Sequence, residues 1–277
     1  MKAQPLIALL AVLAVPVLGS AQTAEEIIAQ NIAARGGTAK FAAVHSLRVA
    51  TVDHTNWGGT GSSVLQLMRL ERIRVDYSWQ ANRKSELIRV IMSSDGKEGW
   101  WADAHKGLQT PNTMTVAQIE PLREGALGLW ATSLGDLNAA GFKVELVGSE
   151  TVDGKPCYKI RFTTQSGQER YAYYDAKSFL VIRYDVVVHG KKNDKTLTVD
   201  VSDYKSERGI LFPHMFTAHA VLTSAFALAE GLPSPFAFFT VKKDSATSSV
   251  ETIEINPGLE ESSFQAPALG APEHPKH

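Results

Sequence analysis

The chain reads as a mainly β protein built on one long antiparallel sheet that curls around an apolar face. Three observations predict this. Short stretches of alternating apolar and polar residues recur about a dozen times. Turn signals such as Ser94-Asp95-Gly96-Lys97 and Val152-Asp153-Gly154-Lys155 separate them at hairpin spacing. A single clear helical stretch, 115–141, interrupts the series partway along. A sheet that curls makes a container, and a helical insert within it makes a natural cover.

The first residues set the expected compartment. Lys2 precedes an apolar run from Leu6 to Leu18, and Gly19-Ser20-Ala21 precede Gln22. A basic start, a short apolar core and small residues at the −3 and −1 positions predict a secretory signal over 1–21, cut after Ala21. The run falls short of the roughly 20 residues that cross a bilayer. Gln22 stands where an exported lipoprotein would have cysteine. A soluble periplasmic protein is therefore expected.

Composition narrows the class further. A net charge of −1 gives no global field that would recruit nucleic acid. A lone cysteine, Cys157, rules out an intramolecular disulfide, so stability must come from burial, for which 44% hydrophobic residues suffice. Cys157 lies in a run alternating with Tyr158, Ile160 and Phe162 and reads as a strand residue, not a nucleophile.

Element by element, Thr23-Ala24-Glu25-Glu26 is a capping box. Ile27, Ile28 and Ile32 follow at helical spacing, and Gly36-Gly37 supplies a left-handed stop. A second short helix is expected over 38–44. Strands follow at 46–54 and 62–70, joined across Trp57–Gly61. The next, 72–79, alternates most cleanly: Ile73, Val75, Tyr77 and Trp79 face one way, and Arg72, Arg74, Asp76 and Ser78 the other. Residues 86–93 and 98–103 complete a hairpin that carries Trp100 and Trp101.

In the insert, Ile119, Leu122, Leu127, Trp130, Leu134 and Leu137 recur at intervals of three to five residues. Pro121 and Gly128 divide it into two short helices. Such a stripe needs somewhere to bury itself, either permanently on the sheet or as a lid over a cavity. Strands resume at 143–152, 156–164, 168–175, 179–189, 195–204 and 210–217. From Ala218 to Phe239 nearly everything is apolar or small. That stretch reads as two buried strands joined by a turn, or as an apolar loop or short helix at the mouth of the sheet. With no linker inside 22–267, one domain is expected, followed by a disordered tail over 268–277.

Chemistry is hard to find. The histidines show no H-x-x-x-H or H-E-x-x-H spacing, so no metal site is expected. No G-x-S-x-G elbow is present, nor a glycine loop leading into a helix for phosphate. Aromatics do not interleave with the basic residues as a nucleic-acid platform requires. A binder without cofactor is predicted in preference to an enzyme.

Taken in order, several short motifs resemble the periplasmic lipoprotein-sorting carriers, the LolA-like group. They are Val44-His45-Ser46-Leu47 after the capped helix, Leu67-Met68-Arg69-Leu70 followed by Ile73, Val75 and Tyr77, and Ser94-Asp95-Gly96-Lys97 with Gly99-Trp100-Trp101. The helical insert comes next, and Phe264-Gln265-Ala266-Pro267 closes the series. The resemblance implies an open half-barrel of about eleven strands around an apolar cavity, covered by helices. Ile73, Val75, Tyr77, Trp79, Trp100, Tyr158, Ile160 and Phe162 would line the cavity, and the six apolar residues of the insert would form its lid. In that family a strand arginine latches the lid, and its match is Arg69, although Leu70 replaces the family's proline. The implied function is a monomeric carrier of lipid acyl chains or lipoproteins, working with a membrane-associated donor or acceptor. Relatives that use the same fold as envelope sensors or protein-binding scaffolds supply the alternative.

Overall fold

The computed structural model describes residues 22–56, 58–68, 72–104, 110–115, 118–119, 137–138, 141–165, 167–188, 195–220 and 244–267. The expected leader and tail, Arg69 and Leu70, and Leu122, Leu127, Trp130 and Leu134 of the insert lie outside these residues, as does nearly all of the apolar stretch beyond Ala220.

The chain enters through α1 (Ala24–Ala34), whose predicted capping box forms. The Thr23 hydroxyl accepts from Glu26 N at 3.2 Å, and the Glu26 carboxylate accepts from Thr23 N at 2.9 Å. Two backbone donors at the helix start are thereby satisfied, where loss of a cap typically costs about 1 kcal/mol. Gly36 and Gly37 end the helix at φ +131° and +87°. A Cβ on Gly36 would stand 2.4 Å from the Gly209 carbonyl, so glycine is also needed for the close approach of the sheet. A short α2 (Thr38–Ala42) follows and buries Phe41.

Thirteen strands follow among the described residues: β1 (Ser46–Thr55), β2 (Thr60–Met68), β3 (Arg72–Gln80), β4 (Ile88–Ser94), β5 (Gly99–Asp103), β6 (Asn112–Thr113), β7 (Lys143–Val152), β8 (Lys155–Thr163), β9 (Glu169–Asp175), β10 (Val181–Val188), β11 (Lys195–Glu207), β12 (Ile210–Ala220) and β13 (Asp244–Ile255). They form one sheet in the order β6-β5-β4-β3-β2-β1-β13-β12-β11-β10-β9-β8-β7. All pairings are antiparallel. Neighbours in the sheet are neighbours in sequence except at β1–β13, where the first and last described strands meet. The sheet is open, and its two edge strands, β6 and β7, are consecutive in the chain. The insert therefore joins one free edge to the other.

The single curved antiparallel sheet is as expected, but it has thirteen strands instead of about eleven. The two additions are β6 and β13. β13 lies near the middle of the sheet, hydrogen-bonded to β1 on one side and β12 on the other. Turn chemistry behaves as the residues dictate. Asp153 and Gly154 both take positive φ, 48° and 79°, as a two-residue hairpin turn with matching twist requires. Asp95 Oδ1 accepts from Lys97 N and Glu98 N at 2.9 Å, with Gly96 at φ +98°. The edge strand β7 has a register shift between Leu146 and Gly148 and carries Lys143, Glu145 and Glu150. A bulge and charges of this kind discourage edge-to-edge pairing.

A 3-10 turn (Glu261–Phe264) closes the domain on the outer face of β3–β5. Phe264 is fully buried there. Its carbonyl accepts from Trp100 Nε1 at 2.9 Å and from the Ser93 hydroxyl at 3.0 Å, while Arg74 donates to Ser263 O at 2.9 Å.

Candidate functional site

Residues directly opposite one another in antiparallel strands share a face, so the pairing register defines the inner face of the sheet. One row runs Leu47–Leu67–Ile73–Ser94–Gly99, the next Val49–Leu65–Val75–Met92–Trp101, and a third Thr51–Ser63–Tyr77–Val90. Across the sheet, Leu146–Ile160–Ala172–Tyr184–Val199–Ala218 forms a corresponding row. One buried cluster includes β3 and β8 side chains together with Ile27, Ile28 and Ile32 of α1. The helix thus covers part of the inner face, held there by Asn31 Nδ2 donating to Phe179 O at 2.7 Å.

Of the residues expected to line this face, seven share it. Ile73, Val75, Tyr77 and Trp79 alternate along β3 and are between 2% and 8% exposed. Tyr158, Ile160 and Phe162 alternate along β8, with Tyr158 stacked on Phe179 at 6.1 Å between ring centroids. Trp100 is the correction. It pairs with Ser93 and Thr113 and lies on the outer face, its indole N–H committed to the closing turn. Trp101 takes the inner position, opposite Met92, and packs on the main cluster. Gly99-Trp100-Trp101 offers two adjacent indoles, and alternation alone cannot choose between neighbours. The signal that decides is the Ser93–Trp100 register, which the sequence does not display.

Three glycines shape the inner face where side chains must pass. A Cβ on Gly61 would stand 2.8 Å from the Trp79 ring, and one on Gly59 2.5 Å from it, so the indole lies over backbone where neighbouring side chains are missing. Gly99 does the same for the insert, since its Cβ would meet Ile119 at 2.7 Å. Ile119 packs with Met114 and Trp101, and Leu137, near the far end of the insert, joins the main core. Both described ends of the insert are therefore buried against the inner side of the sheet.

Sequence reasoning missed the polar groups on this face. Asp53 lies in the row Asp53–Gly61–Trp79, opposite Ser248 of β13, and is 9% exposed. Burial pushes its carboxyl above the ordinary value, against the pull of hydrogen bonds from Ser248 and Thr51 and the charge of His54. Tyr77 is pushed up in turn, by burial first and by Asp53 second. On β9, Arg170 shares the inner face with Ala172 and Tyr174, opposite Phe162 and Val186. The signal for Arg170 was available, because the alternation of Glu169-Arg170-Tyr171-Ala172-Tyr173-Tyr174 puts the arginine in phase with Ala172.

The outer face of β7–β12 is chemically different. Arg161 pairs with Glu145 at 2.7 Å and Glu169 at 3.5 Å, and Arg183 with Asp200 at 2.6 Å and Asp153 at 2.9 Å. Tyr173 and Thr198 donate to Asp185 at 2.8 and 2.7 Å. Cys157 is buried beneath Tyr173, and burial pushes its thiol up, as suits a packing residue. Among the described residues no group of three histidine, cysteine or acidic side chains converges as a metal centre would.

No protein-family model and no curated protein matches the sequence. Solved structures do match the fold. A LolA superfamily protein from Nitrosomonas europaea superposes with TM-score 0.53 at 14% identity, covering 88% of this chain and 98% of that one. An outer-membrane lipoprotein-sorting protein domain from Vibrio parahaemolyticus gives 0.51 at 10% identity, over 86% and 94%. A DUF1329 family protein from Desulfovibrio piger gives 0.51 at 12% identity, over 86% and 95%. At these identities the likeness concerns architecture: the chain has the fold of the LolA superfamily.

Proposed function

We propose that this protein is a periplasmic carrier that receives lipid or lipoprotein acyl chains on the inner face of its sheet. The observation that supports this reading most is topological. An open sheet with an apolar inner face has both free edges tied by one insert, whose two described ends are buried against that face. Displacing Ile119 and Leu137 would uncover apolar side chains of that face, Trp101 among them, without breaking a strand pairing among the described residues.

The energetics suit that role. Each buried methylene of a guest is worth about 0.8 kcal/mol, so a sixteen-carbon chain gains on the order of 10 kcal/mol gross. The inner side chains of β3 and β4 are already buried, so the guest must displace existing contacts, which lowers the net gain and keeps release feasible. That balance defines two states, closed on itself or open around a guest, whose populations the guest shifts. Delivery to a membrane-associated acceptor completes the reading.

A direct test is mass spectrometry of organic extracts from the protein purified out of its native host's periplasm. A stoichiometric lipid or lipoprotein is expected. Protein free of lipid, and unable to retain a polyene fatty acid through gel filtration, would overturn the carrier reading.

A further inference from the structure

The large hydrophobic side chains left exposed among the described residues are Leu87, Ile88 and Val147. Val147 lies at the bulge of the edge strand β7, but Leu87 and Ile88 are adjacent, where the connection from β3 enters β4. Lone exposed apolar residues are ordinary, whereas a pair at one rim calls for a reason. Arg83, Lys84 and Arg89 are exposed around the pair, against the carboxylate of Glu86. The connection is ordered: Asn82 Oδ1 accepts from Lys84 N at 2.9 Å and from Ser85 N at 3.1 Å, and Gln80 Nε2 donates to Ser85 O at 2.8 Å. Ile88 pairs with Trp79, so it extends the inner row Asp53–Gly61–Trp79 to the rim. The exposed pair is therefore continuous with the inner face.

We propose that the rim formed by residues 83–89 docks this protein on an anionic phospholipid surface. Leu87 and Ile88 enter the headgroup region, while Arg83, Lys84 and Arg89 meet the lipid phosphates. The inference goes beyond the carrier reading, since docking needs no guest. A bilayer suits this rim better than a protein partner does. A stable protein contact takes roughly 800 Å² from each side with matched shapes, which two apolar side chains do not supply. A lipid surface accepts single side chains and adds charge attraction without shape matching. Each basic residue close to an anionic leaflet strengthens binding about fivefold, so three give about a hundredfold. That favours a reversible visit and falls short of permanent anchoring. Because Ile88 stands at the end of the inner row, docking would set the opening of that face against the lipid.

The experiment is flotation of the purified protein with phosphatidylcholine vesicles, prepared with and without phosphatidylglycerol. Wild type is expected to float with the phosphatidylglycerol vesicles and to be released as salt rises. Arg83→Gln combined with Lys84→Gln should weaken that binding about twentyfold, the loss of two such charges. Leu87→Ser combined with Ile88→Ser should weaken it about tenfold, by removing the apolar part of the contact. All four side chains are exposed, so both variants should keep the wild-type urea midpoint. Equal binding to the two vesicle types, binding to neither, or variants that float like wild type would overturn the proposal. So would a dimer in lipid-free sedimentation that the Leu87→Ser, Ile88→Ser variant abolishes, which would assign the rim to a second copy of the chain. A protein that carries lipid in its organic extract yet fails to float would sink this inference and leave the carrier reading standing.

Discussion

The two halves of the sheet solve different problems with the same architecture. In the β2–β5 half the inner face is mostly apolar and notched with glycine, and the outer face of β3–β5 is sealed by the closing turn. In the β7–β12 half the inner face carries Arg170, Tyr174 and Tyr184, while charge pairs solvate the outer face. The first half fits large side chains against backbone, Trp79 over Gly59 and Gly61 and Ile119 over Gly99. The second places an arginine and several tyrosines among its inner side chains. The contrast teaches that one half fits large side chains closely against glycine backbone, whereas the other accommodates polar side chains on the same face.

The sealed outer face provides the largest test of that contrast. Phe264→Ala should cost about 3–5 kcal/mol in urea unfolding, because the ring is wholly buried and its loss leaves a cavity. A loss below about 1 kcal/mol would mean that the closing turn is dispensable. Next come the glycine notches, which should differ in kind. Gly61→Ala sets a methyl 2.9 Å from the Ser78 backbone carbonyl, which cannot swing aside, and should cost about 1–3 kcal/mol of global stability. Gly99→Ala meets mainly the Ile119 side chain. It should therefore speed proteolysis within 120–136 while leaving the urea midpoint nearly unchanged. Equal effects on both readouts for the two variants would erase the distinction.

Asp53 gives a smaller, pH-dependent effect. Its raised folded-state value means that its contribution is fully present below the ordinary carboxyl value of 3.8 and is lost as pH rises through the folded one. Asp53→Asn should thus stabilise the protein at pH 7, with the gain vanishing toward pH 4. Thermal melts across that range check the sign, and a gain that persisted in acid would refute it. Smallest of all is Arg48→Gln on the outer surface. The Arg48–Glu254 pair is 43% and 47% exposed, so its loss should change stability by less than about 0.5 kcal/mol.

Legibility followed the same physical divide. β3 could be read because each residue alternates without exception, and the capping box because its contacts are local in sequence. β13 escaped notice because Ser245, Ala246, Thr247, Ser248 and Ser249 present no apolar alternation. It is a strand because β1 and β12 both offer it backbone partners, β1 along 246–255 and β12 along 244–249. Arg170 was in phase with Ala172, yet a basic residue on a strand is ordinarily read as solvated.

By itself the sequence determined what local chemistry can enforce: the capped α1, the Asp-Gly turns, the apolar side of β3, and an insert between two sets of hairpins. Tertiary structure decided the rest, namely that the first and last strands pair at β1–β13, that the strands on either side of the insert are the two edges of the sheet, and that Trp101 rather than Trp100 faces inward. Alternation and capping act over a few residues and leave a signature wherever they occur. Register and the meeting of distant strands depend on partners as far apart as Leu47 and Ile255, and no single stretch of sequence contains them.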